Sequence, residues 1–154
     1  LKETKILHQR TKNLSKIQII EFSILFIILN YFEIASKKLE ELSEIKFLAE
    51  KNESLKNDFI TSITTGNDKA KTHSKINTTY DKIVEEINEN SNIQIIIKNK
   101  SDDQVSNLLD ELIQDHKDQG NLKKIESLER KLINNLDENS FSELIKLKSQ
   151  LNGE

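Results

Sequence analysis

Three histidines are the first side chains in this sequence that could hold a metal ion or move a proton. They are His8, His73 and His116, and they stand far apart in the chain. A helical metal motif places a second ligand three or four residues away, and here that spacing offers only the ordinary carboxylates of a charged helix. We therefore expect structural or solvent-exposed roles for all three histidines, and no metal site.

Two adjacent carboxylate pairs suggest the other possible chemistry, which is general acid and base catalysis. They are Glu40–Glu41 and Glu85–Glu86, and each falls on the polar face of a predicted amphipathic helix, where a solvated charge is the usual explanation. The three glycines are isolated, so no glycine-rich phosphate loop is present. No serine or threonine is singled out as a nucleophile. We expect neither an active site nor a cofactor in this chain.

The composition predicts an all-α fold. Of 154 residues, 35% are hydrophobic and 32% are charged, and there is no proline, so the residues that would divide the chain into short strands are missing.

The absence of cysteine suits a reducing cytoplasm. A net charge of −3 argues against nucleic-acid binding as the main task, because that requires a basic face. No methionine occurs, even at position 1, so we expect a fragment of a longer protein.

The most apolar stretch runs from Ile17 to Leu29 and predicts the buried central helix of a bundle. Ser15 is available as its N-cap. A bilayer span requires about 20 apolar residues, whereas this run is shorter and carries Glu21, so we predict no membrane segment. Phe26 and Leu29 are expected to be buried in the bundle core.

Further helical segments follow, with polar breaks between them. We predict a break at Asn30, a second helix from Tyr31 to Ile45, a third helix capped by Asn52 and ended at Gly66, a polar loop at residues 66–75, and a fourth helix from Ile76 to Asn88. The short run Ile93–Ile97 could form a strand, but a lone strand has no partner elsewhere in the chain. A short buried helix or an extended plug is therefore favoured there.

Ser101 and Gln104 form a capping-box pattern that begins a long stem helix. Its apolar residues continue the inward face as far as His116, and the helical pattern extends to Leu136. Gly120 interrupts it, and a glycine within a helix costs about 1 kcal/mol relative to alanine. We place a joint there, which divides the chain into a linker (1–14), a helical bundle (15–119) and a C-terminal helical hairpin (120–154).

The predicted hairpin has the most regular apolar spacing of the chain. One stripe runs in steps of three and four from Leu122 to Leu136 and stops at Asp137. Asn139 or Ser140 is the predicted cap of a second helix. Its inner face comprises Phe141, Leu144, Ile145, Lys148 and Leu151, and its end is predicted at Asn152–Gly153. So short a connection forces the two helices to be antiparallel.

Three patterns follow one another near the start of the chain. They are an apolar helix at residues 19–30, an acidic helix at Leu39–Glu40–Glu41–Leu42 and a turn at Ile45–Lys46–Phe47. In order and spacing they resemble the start of the C-terminal, helicase-binding domain of bacterial replicative primases of the DnaG type. The closing pattern, Leu128–Leu132 with residues 137–141 and 144–148, is similar to the final hairpin of that domain.

The resemblance implies a helical bundle joined to a terminal hairpin, from a protein that makes RNA primers in another domain. This module would dock on the amino-terminal collar of the hexameric replicative helicase (DnaB type) and couple primer synthesis to fork unwinding. It would contact neither nucleic acid nor membrane, and would be monomeric alone. The alternatives are the amino-terminal domain of a replicative helicase, which that bundle resembles, another all-helical adaptor, or a lipid-binding amphipathic bundle.

The hairpin is expected to carry the partner contact. Its apolar arc is wider than two helices can bury on each other, although the excess could instead pack on the bundle. The predicted partner-binding set consists of the anchors Ile133 and Leu147, a cationic rim of Lys131, Lys146 and Lys148 that would suit an acidic collar surface, and Leu151.

Overall fold

The computed structural model describes residues 15–135 and 138–151, where the chain forms helices joined by short connections, and these ranges contain no strand. The predicted all-α fold is thus confirmed. The helices are α1 (Lys16–Asn30), α2 (Phe32–Ser36), α3 (Leu39–Glu44), α4 (Glu50–Thr64), α5 (Lys69–Thr79), α6 (Asp81–Glu89), α7 (Ser91–Ile97), α8 (Asp102–Asn135) and α9 (Glu138–Leu151). The predicted linker at residues 1–14, Leu136, the side chain of Phe141 and the predicted stop at Asn152–Gly153 lie outside the described residues.

The chain divides into two compact units after Ile113, within α8. In the first unit α1 packs against α2, α4, α6 and α7, as its apolar sequence predicts. Ile24, Leu25 and Ile28 of α1 have no exposed surface, and burying each such side chain contributes about 1.5–3 kcal/mol. This burial makes α1 the centre of the unit.

The ends of α1 agree with the sequence, but one predicted core residue does not. Ser15 Oγ accepts the Gln18 N–H at 3.2 Å, and Leu29 is buried. Phe26 is only partly buried, so the prediction that it is a core residue was wrong. It shares with Ile19 and Phe22, three and four residues apart, the stripe of α1 that neighbouring helices cover least.

A turn at Lys37 and Lys38 separates α2 from α3, where the sequence predicts one helix from Tyr31 to Ile45. The Lys38 N–H donates to the Ala35 carbonyl at 3.0 Å, the tighter pattern that often ends a helix. Lys38 Nζ then pairs with Asp110 of α8 at 3.0 Å. The prediction of a single helix was therefore wrong at this turn.

The predicted polar loop at residues 66–75 is mostly helical. Asp68 Oδ1 accepts the Lys71 N–H at 2.8 Å and caps α5, which begins at Lys69. An aspartate at this position is a common N-cap. The loop was predicted because the segment is polar, and this cap was overlooked.

Tyr80 separates α5 from α6, where the sequence predicts one helix from Ile76 to Asn88. The Tyr80 hydroxyl donates to the Asp58 carboxylate of α4. Burial, together with this carboxylate, raises the pKa of Tyr80 to about 12. The side chain is thus tied to another helix at the point where the chain changes direction.

The segment Ile93–Ile97 lies in α7, so the helical alternative is correct. Ile93 and Ile97 are each 1% exposed and join the core of the first unit. The Asn90 side chain caps the helix by accepting the N–H groups of Asn92 and Ile93 at 3.1 and 3.2 Å.

Helix α8 begins as predicted and continues through the predicted joint. Ser101 and Gln104 exchange hydrogen bonds of 2.9 and 3.3 Å between side chain and backbone, which confirms the capping box. His116 is buried, with 4% of its surface exposed. Gly120 is helical. The domain boundary at residue 120 stays a prediction, since the compact units divide after Ile113.

The second unit has its own small apolar cluster. Ile125 and Leu128 of α8 and Leu144 of α9 are buried, and Leu132, Leu147 and Leu151 pack against them. Glu129 and Lys148 form an ion pair of 3.3 Å between the same two helices. These contacts join residues near the end of α8 to residues of α9, which begins only three residues after Asn135, and this favours the antiparallel hairpin that the sequence predicts.

Helix α9 begins at Glu138. The predicted cap at Asn139 or Ser140 was therefore wrong, because both residues already lie inside the helix.

Gly66 and Gly120 have different backbone conformations, so alanine at these two positions should change the stability in opposite directions. Gly66 has a φ of +92°, and the N–H groups of Gly66 and Asn67 close the end of α4 on the Ile63 and Ser62 carbonyls, each at 3.0 Å. Gly120 lies within α8, and a Cβ at either glycine would meet nothing within 4 Å. We expect Gly66→Ala to lower the free energy of unfolding by about 1–2 kcal/mol, and Gly120→Ala to raise it by about 0.5–1 kcal/mol.

Urea unfolding followed by circular dichroism measures both glycine variants, and each serves as the control for the other. The substitution is identical and only the backbone conformation differs. If Gly120→Ala destabilises the protein as much as Gly66→Ala, the chain is not a continuous helix at residue 120.

Candidate functional site

Glu21, Asn52 and Lys56 are buried beside the connection at residues 45–49, and Glu21 has no exposed surface. Its carboxylate accepts the Leu48 N–H at 2.7 Å, the Ala49 N–H at 3.4 Å and the Asn52 side-chain amide at 3.1 Å. Ala49 precedes the first residue of α4 and has no capping side chain of its own. Glu21 on α1 therefore supplies acceptor oxygens at the N-terminus of α4, where a helix leaves N–H groups without partners of its own.

Asn52 was predicted to cap this helix, and that prediction was wrong. The helix begins at Glu50, so Asn52 lies within its first turn. Its side chain is 3% exposed and faces Glu21. Sequence reasoning missed Glu21 as the capping group because the hydrogen bond to Leu48 spans 27 residues, and capping patterns are read over three or four.

A buried lysine completes this polar cluster. Lys56 is 1% exposed, and its ammonium donates to the Ile45 carbonyl, pairs with Glu53 Oε1 at 2.7 Å and lies 5.1 Å from the centre of the Phe47 ring. Glu53 Oε1 also accepts the Phe47 N–H at 3.0 Å. Burial alone would raise the pKa of Glu53, but Lys56 and the Phe47 amide outweigh it, so the pKa lies below its usual value.

These bonds hold the connection at residues 45–49 rather than a substrate. Side chains from α1 and α4 bind its backbone at Ile45, Phe47, Leu48 and Ala49. A catalytic acid or base must reach the proton of a substrate, whereas Glu21 and Lys56 are both buried and hydrogen-bonded to this backbone. The cluster is therefore structural.

The other chemical candidates remain dispersed. Glu40, Glu41, Glu85 and Glu86 are exposed, and within residues 15–135 and 138–151 no three potential metal ligands come together. The His73 ring meets the Phe32 ring edge to face at 6.1 Å. Burial, and secondarily Lys69, lowers the pKa of His73.

The terminal unit contains a groove of about 440 Å³ between α8 and α9. Its walls carry mostly cationic and polar side chains, and Leu128 and Leu147 supply its apolar surface. The lining residues are Lys124, Ser127, Leu128 and Lys131 from α8 and Glu143, Lys146, Leu147 and Gln150 from α9. An open groove with cationic walls suits a protein segment that carries carboxylates. We call these eight residues the basic groove.

The structure brings three of the six predicted contact residues into the basic groove. Lys131, Lys146 and Leu147 line it. Leu151 packs against the apolar cluster of this unit, and Lys148 pairs with Glu129. Ile133 is 81% exposed and is not among the lining residues.

Lys124 is the groove residue that sequence reasoning should have found. It precedes Lys131 by seven residues, which places both lysines on nearly the same face of α8. The predicted rim included only lysines near the end of the apolar stripe of α8 and on α9. The seven-residue spacing of Lys124 and Lys131 was not considered. Ser127 and Gln150 gave no signal that distinguishes them from other polar residues.

Comparison with known protein families, curated proteins and solved structures finds no significant match to this chain. Within the described ranges, no helix has the length and apolar character needed to cross a bilayer. The candidate site therefore rests on its own geometry and charge.

If Glu21 caps α4, replacing it with glutamine should lower the stability of the protein substantially. Glu21→Gln keeps the size of the side chain but replaces one acceptor oxygen with an amide that opposes backbone donors. An unsatisfied buried donor costs about 1–3 kcal/mol, so we expect the free energy of unfolding to fall by about 2–3 kcal/mol in urea titrations.

Glu40→Gln is the matched control for Glu21→Gln, because Glu40 is exposed and surface substitutions usually change stability by no more than about 0.5 kcal/mol. Equal effects of the two substitutions would show that Glu21 does not hold the connection between α3 and α4.

Proposed function

We propose that this chain is the non-catalytic, helicase-binding module of a bacterial DNA primase of the DnaG type. It acts in the cytoplasm, docks on the amino-terminal collar of the replicative helicase (DnaB type) and brings primer synthesis to the fork. The observation that carries the proposal is the basic groove, where Lys131, Lys146 and Leu147 meet on the two terminal helices.

The resemblance of the first unit supports the same function. The apolar helix, the acidic helix and the following turn, which carry that resemblance, correspond to α1, α3 and the connection at residues 45–49. The buried Glu21 and Lys56 bind this connection tightly. A module whose buried polar groups fix its own backbone suits a docking function better than catalysis.

The terminal unit also has the surface that a protein partner requires. Ile133 and Ile145 are 81% and 54% exposed, although hydrophobic residues of this size are usually buried. Binding energy concentrates in a few apolar anchors that become desolvated, and surrounding charges mainly set the association rate and its salt dependence. Ile133 is the more exposed of the two and lies outside the basic groove, so we propose it as an anchor on a second contact face, beside Leu147 within the groove.

Ile133→Asp should weaken helicase binding without unfolding the module. Truncating an anchor costs about 2 kcal/mol or more, which is at least about 30-fold in the dissociation constant. Because Ile133 is 81% exposed, its replacement should leave the melting temperature nearly unchanged. Isothermal titration of the cognate hexameric helicase with the chain measures the affinity, and circular dichroism measures the stability.

Ile95→Asp is the matched control, because Ile95 is 73% exposed on α7 of the first unit. We expect it to bind the helicase as the unaltered chain does. If the unaltered chain does not bind the helicase, the proposed function is wrong. If Ile95→Asp weakens binding and Ile133→Asp does not, the contact lies on the first unit.

A further inference from the structure

We propose that the basic groove binds an acidic amphipathic helix of the partner, with Lys124 as a contact residue alongside Lys131 and Lys146. This inference rests on the proposed function in taking a protein as the partner. It adds the chemical character of the segment that binds and a residue that the sequence did not indicate.

The spacing of the lysines fits a helical ligand. Lys124 and Lys131 both line the groove from α8, and seven residues of helix place them about 10 Å apart along its axis. Two carboxylates seven residues apart on a partner helix have the same separation. A helix lying along the groove therefore matches both lysines at once, while Lys146 faces it from α9.

The apolar part of the groove favours an amphipathic ligand. Leu128 is 8% exposed and is part of the cluster that holds α8 and α9 together. Leu147 is partly buried in the same cluster and also lines the groove. An apolar side chain between the two carboxylates of the ligand would cover what remains exposed of these leucines.

Glu143 makes a nucleic-acid ligand unfavourable. It lines the same groove as the three lysines and is exposed. A phosphate backbone is uniformly negative and would be repelled by this carboxylate, whereas a protein helix can place a cation or a neutral residue there. The mixed charge therefore favours a protein segment over a nucleic acid.

The first experiment titrates the full chain with a synthetic helical peptide that carries two glutamates seven residues apart and a leucine between them. Amide signals of the chain are followed by heteronuclear NMR. We expect shifts at Lys124, Ser127, Lys131, Lys146 and Gln150, and none with a peptide in which lysines replace the glutamates. If the acidic peptide shifts no groove signal at about millimolar concentration, or if single-stranded DNA shifts them instead, the inference is overturned.

The second experiment compares Lys124→Glu with Lys123→Glu in binding to the hexameric helicase. Both lysines are exposed on α8, but only Lys124 lines the groove, so the pair is matched in charge and helix. We expect Lys124→Glu to raise the dissociation constant about tenfold or more, because it places like charges together, and Lys123→Glu to change it less than about twofold.

The two experiments separate the inference from the proposed function. Peptide binding in the groove without helicase binding would support the acidic-helix inference and contradict the helicase proposal. Helicase binding that Lys124→Glu and Lys123→Glu weaken equally would support the helicase proposal and overturn the role of the groove.

Discussion

A carboxylate inside an apolar helix must find hydrogen-bond donors, and this requirement organises the first unit. Glu21 finds them in the backbone of Leu48 and Ala49 and in the side chain of Asn52. Two of these bonds satisfy the N–H groups of Leu48 and Ala49 directly before α4, a position where a helix start leaves backbone donors without partners. The connection at residues 45–49 is thus fixed to α1, and α4 is fixed with it. Lys56 then secures the connection from the other side through the Ile45 carbonyl.

Features that depend on a few neighbouring residues could be predicted from the sequence. The caps at Ser15 and Ser101, the end of α4 at Gly66 and the central position of α1 all depend on local patterns. The cap supplied by Glu21 depends on a contact over 27 residues, which no local pattern contains. The turns that separate α2 from α3 and α5 from α6 were missed because apolar spacing continues across them, so periodicity alone indicated one helix.

The candidate site was predictable in part, for a geometric reason. Residues two apart on a helix point about 200° away from each other, so Lys131 and Ile133 cannot belong to one narrow face. The basic groove includes Lys131 but not Ile133, and Lys146 but not Lys148. The sequence identified the two helices and the mixture of lysine and apolar residues. Which of these residues line the groove depends on how α8 and α9 pack against each other, and the sequence pattern alone does not determine that packing.

The central claim is that the first unit is a scaffold and the terminal helices carry the partner contact. The most direct test is helicase titration with a chain that ends at residue 120, together with its circular dichroism spectrum. Because the first compact unit ends at Ile113, we expect the shortened chain to remain folded and to lose helicase binding. A shortened chain that is folded and binds the helicase with undiminished affinity would contradict the account.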